Sequence, residues 1–98
     1  MSYPEIVAAD RRLLILKALD NAAGYRAPAR LLSAFLDSFG RKVSADQMAG
    51  ELAWLEEQAL VELQQAEGET IATLKPRGAD IAAGRARHPG VRRPAIGE

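Results

Sequence analysis

The sequence predicts a mainly α fold with a small β-hairpin: three helices, a two-stranded hairpin, a short closing helix and a basic tail. Two observations carry this expectation. Apolar residues recur at helical spacing in three separate stretches, and after Gln58 the period changes to strict alternation of apolar and polar residues.

Pro4 suits a first helical turn, where its missing N–H costs nothing, and Ser2 stands just upstream. Ile6, Val7, Leu13, Leu14, Leu16 and Leu19, with Arg11, Arg12 and Lys17 interleaved, extend that helix over about residues 4–20. Asn21 to Gly24 end it. Pro28 opens a second helix striped by Leu31, Leu32, Phe35, Leu36 and Phe39, and Gly40 closes it. Ser44 followed by Gln47 has the form of a capping box, so the third helix begins near Ala45. At 100° per residue Met48, Leu52, Leu55 and Ala59 form its core face, within about 60° of one another. Gln47, Glu51, Trp54 and Gln58 lie to one side, and Gly50 and Glu57 lie opposite.

Beyond Gln58, Val61 and Leu63 alternate with Glu62 and Gln64, Glu67-Gly68 makes a turn, and Thr70 to Leu74 is rich in β-branched residues. This is the hairpin. Pro76 and Gly78 introduce a short helix to about Ala83, with Ile81 and Ala82 buried and Gly84 as the stop. Residues 1–84 thus make one domain, and residues 85–98 read as an extended basic Pro/Gly-containing arm.

Composition sets limits. The chain has 98 residues, 48% of them apolar and 27% charged, which suits one modest globular core. No run approaches the roughly 18–20 apolar residues that cross a bilayer, and no secretory signal opens the chain, so no membrane partner and a cytoplasmic location are expected. With no Cys and a single His, no metal site is expected, and nothing calls for a cofactor.

The order helix, helix, helix, two-stranded hairpin is the winged helix-turn-helix plan, and "LAWLEEQALVEL" (residues 52–63) resembles its passage from recognition helix into wing. Gly commonly stands there where this chain has Ala59, and Ala in the left-handed conformation costs about 1 kcal/mol. "LKPRGADIAAGRA" (residues 74–86) resembles the stretch after the wing in bacterial regulators, which often have Thr in place of Lys75. From "SYPEIVAADRRLLILKAL" through "GRARHPGVRRP" the chain resembles small winged-helix, ArsR-like proteins of Mu-like phages and prophages. That resemblance implies transcriptional regulation in the cytoplasm of a bacterial host. It does not carry metal sensing, because the Cys and His ligands are missing.

Charge placement bears on the DNA expectation. Residues 46–69 hold Asp46, Glu51, Glu56, Glu57, Glu62, Glu67 and Glu69 with no Lys or Arg, a net of −7, whereas residues 75–93 carry a net of +5. Carboxylates in a recognition helix and wing oppose the phosphates that flank a major groove. Ser44, Asp46, Gln47 and Glu51 remain the recognition-helix candidates, since acids can accept from cytosine amino groups. The expected contacts to double-stranded DNA lie elsewhere: Arg26, Arg30, Arg41 and Lys42 around the second helix, and Arg85, Arg87, Arg92 and Arg93 of the arm.

A different class of function is a protein-interaction adaptor or a phage assembly or packaging factor. It uses the acidic face around Gly50, Trp54 and Gln58, because Trp is enriched at binding hot spots. Its partner is a phage or host protein, or a second copy whose arm meets the acidic face in a homodimer. No enzyme is expected: no nucleophile has a base near it, no phosphate loop follows a strand, and His88 in "ARHPG" reads as a tail residue.

Overall fold

The computed structural model describes residues 1–98, and its elements run α1 (Tyr3–Asp20), β1 (Arg26–Pro28), α2 (Ala29–Ser38), α3 (Ala45–Glu57), β2 (Val61–Ala66), β3 (Glu69–Leu74) and α4 (Pro76–Ala82). Four helices pack with a three-stranded antiparallel sheet of order β1-β3-β2.

α1 starts on a full capping box, with the Ser2 hydroxyl accepting from the Glu5 N–H and the Glu5 carboxylate accepting from the Ser2 N–H. Its second half is enclosed: Leu13, Leu14, Ile15, Leu16 and Leu19 are all buried. Such an all-round apolar surface marks a central helix. The Ser44–Gln47 capping box opens α3 as the sequence predicts, with bonds of 2.9 and 3.1 Å.

α2, α3 and α4 close in the same way. The N–H groups two residues beyond the last helical turn reach back to its free carbonyls, Arg41 to Leu36 at 2.9 Å, Leu60 to Leu55 at 3.0 Å and Arg85 to Asp80 at 2.8 Å. At the centre of the second of these sits Ala59, at φ 61°. The left-handed conformation expected there is therefore kept without glycine. Leu55 and Leu60, which flank it, are completely buried, and that contact holds the turn.

The hairpin turns on Glu67 at φ 52° and Gly68 at φ 78°, the two left-handed residues of a tight primed turn. β1 is the element that the sequence did not reveal. Arg26, Ala27 and Pro28 pair with Thr73, Ala72 and Ile71, turning the expected two-stranded hairpin into a three-stranded sheet. Three residues are too few to show alternation, and Pro28 is tolerated because β1 is an edge strand.

α4 packs closely on the α3–β2 turn. A Cβ on Gly78 would collide with the Leu60 carbonyl oxygen and lie 2.8 Å from a Leu74 methyl, so only glycine permits this approach.

Residues 85–98, expected as an extended arm, lie against the body instead. Val91 is 7% exposed and belongs to the sixteen-residue core cluster, and the Arg92 N–H donates to the Ala9 carbonyl at 3.1 Å. The sequence concealed this because Val91 is a lone apolar residue among Arg, Pro and Gly, with no period to reveal it.

Candidate nucleic-acid interface

Two groups of side chains organise the charged surface, and both rest on α1. The first centres on Glu51. Its position on α3 turns the carboxylate toward α1, where Arg11 donates to Oε2 from Nε and Nη2 at 3.0 and 2.8 Å, and Arg12 donates to Oε1 at 2.8 Å. Glu51 is 6% exposed. Expected to face a groove, it is instead the anion of a half-buried ionic cluster, which two guanidiniums and three hydrogen bonds make tolerable.

Arg12 extends this cluster to the tail. Its guanidinium lies 3.8 Å from the centre of the Trp54 ring and donates to the Gly90 carbonyl at 3.1 Å. His88 meets Trp54 edge-on, with centroids 5.1 Å apart. The Gly90 N–H donates to His88 Nδ1 at 3.0 Å, so the ring proton sits on Nε2, which is 2.9 Å from Gln58 Oε1. Burial, together with the positive charges of Arg77 and Arg12, lowers the His88 pKa below its ordinary value. Gly90 completes the contact, because a Cβ there would lie 2.6 Å from the indole. Trp54 is thus half-buried beneath Arg12 and the tail, and Gln58 is engaged with His88. Neither stands free as the interface residue the sequence suggested.

The second group centres on Asp10. Its Oδ2 accepts from Arg41 at 2.8 Å and its Oδ1 from Arg92 at 2.8 Å. Burial works to raise the Asp10 pKa, but the hydrogen bonds from Arg41 and Arg92 outweigh it and hold the carboxyl below the usual range. Arg92 also grips Glu98 at 3.0 and 2.7 Å, and this bond, with the Ala95 N–H, pushes the Glu98 pKa down to about 2. Asp10 therefore joins the turn before α3 to the tail. A cleft of about 380 Å³ lined by Tyr3, Val7, Arg11, Arg41 and Lys42 lies beside it. A second cleft, of about 350 Å³, is lined by residues of the tail, Arg92 among them.

Comparison with known proteins places the chain. It is 42% identical over 90 residues to uncharacterized protein gp26 of Escherichia phage Mu, covering 92% of this chain and 93% of gp26. The chain belongs to the phage Mu gp26 family. An uncharacterized protein of Haemophilus influenzae is 35% identical over 78 residues, covering 79% of this chain and 76% of that protein. No family model and no solved structure matches. The phage resemblance is thereby supported, while the comparisons lend nothing to the narrower ArsR-like one.

In this gp26-family chain the expected cations divide by partner. Arg30 is held by Glu69 at 2.6 Å and Arg85 by Asp80 at 2.9 Å, while Arg41 and Arg92 share Asp10. Arg26 makes only a 3.4 Å bond to Gln64. No side chain pairs with Lys42, Arg87 or Arg93. Of the seven acids between residues 46 and 69, Glu51 and Glu69 are paired with arginines, and Glu56 accepts from the Leu63 N–H at 2.9 Å. Asp46, Glu57, Glu62 and Glu67 have no partner. Ser44 and Gln47 are spent on the α3 cap, and Gly50 is exposed, with nothing within 4 Å of where a Cβ would stand.

Sequence reasoning missed Asp10 and Glu98 as organisers, along with the inward roles of Arg11 and Arg12. One signal was present: Asp10-Arg11-Arg12 is a run of three consecutive charges in the middle of a helix whose other charges stand singly. Its partners lie 31 to 82 residues away, beyond any local pattern. No helix is long and apolar enough to cross a membrane.

Proposed function

We propose that this chain is a phage-encoded winged-helix protein that binds duplex nucleic acid as a transcriptional regulator in the host cytoplasm. It grips the phosphate backbone with a belt of cations rather than reading bases with α3. The carrying observation is Asp10, whose carboxylate holds Arg41 and Arg92 together. Lys42 and Arg93 adjoin them in sequence, Arg87 stands five residues before Arg92, and none of the three has an internal side-chain partner, so their charges are free to neutralise phosphates. The order helix, strand, helix, helix, two strands with β3 central supports the winged-helix reading. In this mode the contacts come from outside the acidic segment of α3 and the hairpin, so binding does not require those carboxylates to enter a groove between phosphates.

Duplex affinity measured between about 50 and 200 mM salt tests the proposal. The triple variant Lys42→Ala, Arg87→Ala, Arg93→Ala is expected to bind more weakly on every sequence, with a salt slope shallower by about one for each phosphate that is no longer neutralised. These side chains are exposed and unpaired, so folding should be untouched. Absence of binding at about 50 mM salt defeats the proposal.

One observation favours the adaptor or assembly-factor reading. The outer face of α3 presents Asp46, Ala49, Gly50, Ala53 and Glu57, all exposed. Gly50 costs about 1 kcal/mol against Ala in a helix interior and has no packing reason within the chain, whereas a close-packed basic partner would supply one.

A further inference from the structure

The tail folds around a cleft of about 350 Å³ whose floor is Ile81, Val91 and Pro94 and whose rim carries Arg87, His88 and Arg93. No carboxylate lines it. Arg92, also in its wall, is committed to Asp10 and Glu98, but Arg87 and Arg93 are exposed and make no side-chain bond. Arg77 stands close enough for its charge to act on His88. The site suits a small convex group that brings one carboxylate for the guanidiniums and a little apolar surface for the floor.

The hairpin tip of this same chain has that form. Ala66, Glu67 and Gly68 are all exposed. Glu67 adopts φ 52°, a conformation in which a long side chain is strained, and its carboxylate makes no hydrogen bond or ion pair. Asn-Gly or Gly-Gly would form the same turn with less strain, so turn stability does not explain a glutamate here. A strained residue with an unused charge at an exposed tip calls for a partner outside the chain.

We propose that the hairpin tip of one copy seats in the tail cleft of a second copy, with Glu67 between Arg87 and Arg93 and Ala66 against the apolar floor. The contact is head-to-tail, so it builds open chains or rings rather than a two-fold dimer. It deepens the nucleic-acid reading above, because tip and phosphates compete for the same guanidiniums. Assembly thereby masks part of the binding belt.

Sedimentation at about 100 μM protein in low and high salt, with and without a duplex oligonucleotide, tests this. The wild type is expected to associate in low salt and to dissociate in high salt or on addition of duplex. Glu67→Asn should weaken association by about tenfold or more while raising the melting temperature, since it relieves the turn but removes the charge. Glu67→Arg alone, and Arg87→Glu with Arg93→Glu alone, should each be monomeric, whereas mixing the two should restore association. A monomeric wild type, or a Glu67→Asn protein that associates as the wild type does, overturns the inference. A monomeric wild type that binds duplex leaves the nucleic-acid reading intact. Association of the predicted kind without duplex binding supports the contact and defeats that reading.

Discussion

At the scale of single residues the most informative positions are those that break a local preference. Ala59 holds a left-handed turn without glycine, and the turn survives because Leu55 and Leu60 are fully buried on either side. Ala59→Gly should relieve the Cβ clash while adding some chain entropy to the unfolded state, for a net gain of roughly 0.5–1 kcal/mol. A urea titration checks this, and an unchanged or lowered midpoint would mean that the turn carries no strain. Ala59 and Gly68 were legible because their conformations follow from local chemistry. Glu51 was not: its helical phase placed it beside the core, and only the approach of Arg11 and Arg12 from a helix 39 to 40 residues earlier turned it inward.

Elements were legible where their period or caps were local, as with the Ser44–Gln47 box and the Glu67-Gly68 turn. β1 and the tail were hidden because each is ordered by something distant, β1 by the open edge of β3 and the tail by Trp54 and Asp10. The candidate site followed the same division. The sequence named Arg41, Lys42, Arg92 and Arg93, but not the Asp10 carboxylate that joins the first of them to the third. The tail's attachment to α3 depends on neutral His88, whose Nδ1 must accept from Gly90. Its pKa is lowered in the fold by burial and by Arg77 and Arg12, so the unfolded chain binds the proton more readily. The stability this group contributes is therefore fully present above its ordinary value of about 6.5 and is lost as pH falls through the lower folded value. Protonation also makes Nδ1 a donor facing the Gly90 N–H. Trp54 fluorescence followed from pH 7.5 to 5 should shift to the red as the tail loosens, and His88→Ala should abolish that pH dependence. A transition unchanged in His88→Ala would place the sensitivity elsewhere.

At the scale of the whole molecule the zero net charge conceals an acidic stretch, residues 46–69, and a basic one, residues 75–93, and the tail that carries much of the latter is built into the fold. It supplies Val91 to the core, Gly90 to the Arg12–Trp54 contact and Arg92 to Asp10. A chain ended after Gly84 therefore tests whether residues 1–84 suffice as a domain. Val91 alone contributes about 1.5–3 kcal/mol by burial. Loss of Arg92 leaves Asp10 with Arg41 as its one remaining partner, so the Asp10 pKa should rise and the acid limb of stability should move to higher pH. The shortened chain should fold, since the enclosed half of α1, the sheet and α3 remain, but with a stability lower by roughly 2–4 kcal/mol and an exposed Trp54. If its urea midpoint matched that of the full chain, residues 85–98 would be an appendage after all. The tail's cations, Arg87, Arg92 and Arg93, would then have to be regarded as mobile, with no fixed spacing from Arg41 and Lys42 to match a phosphate backbone.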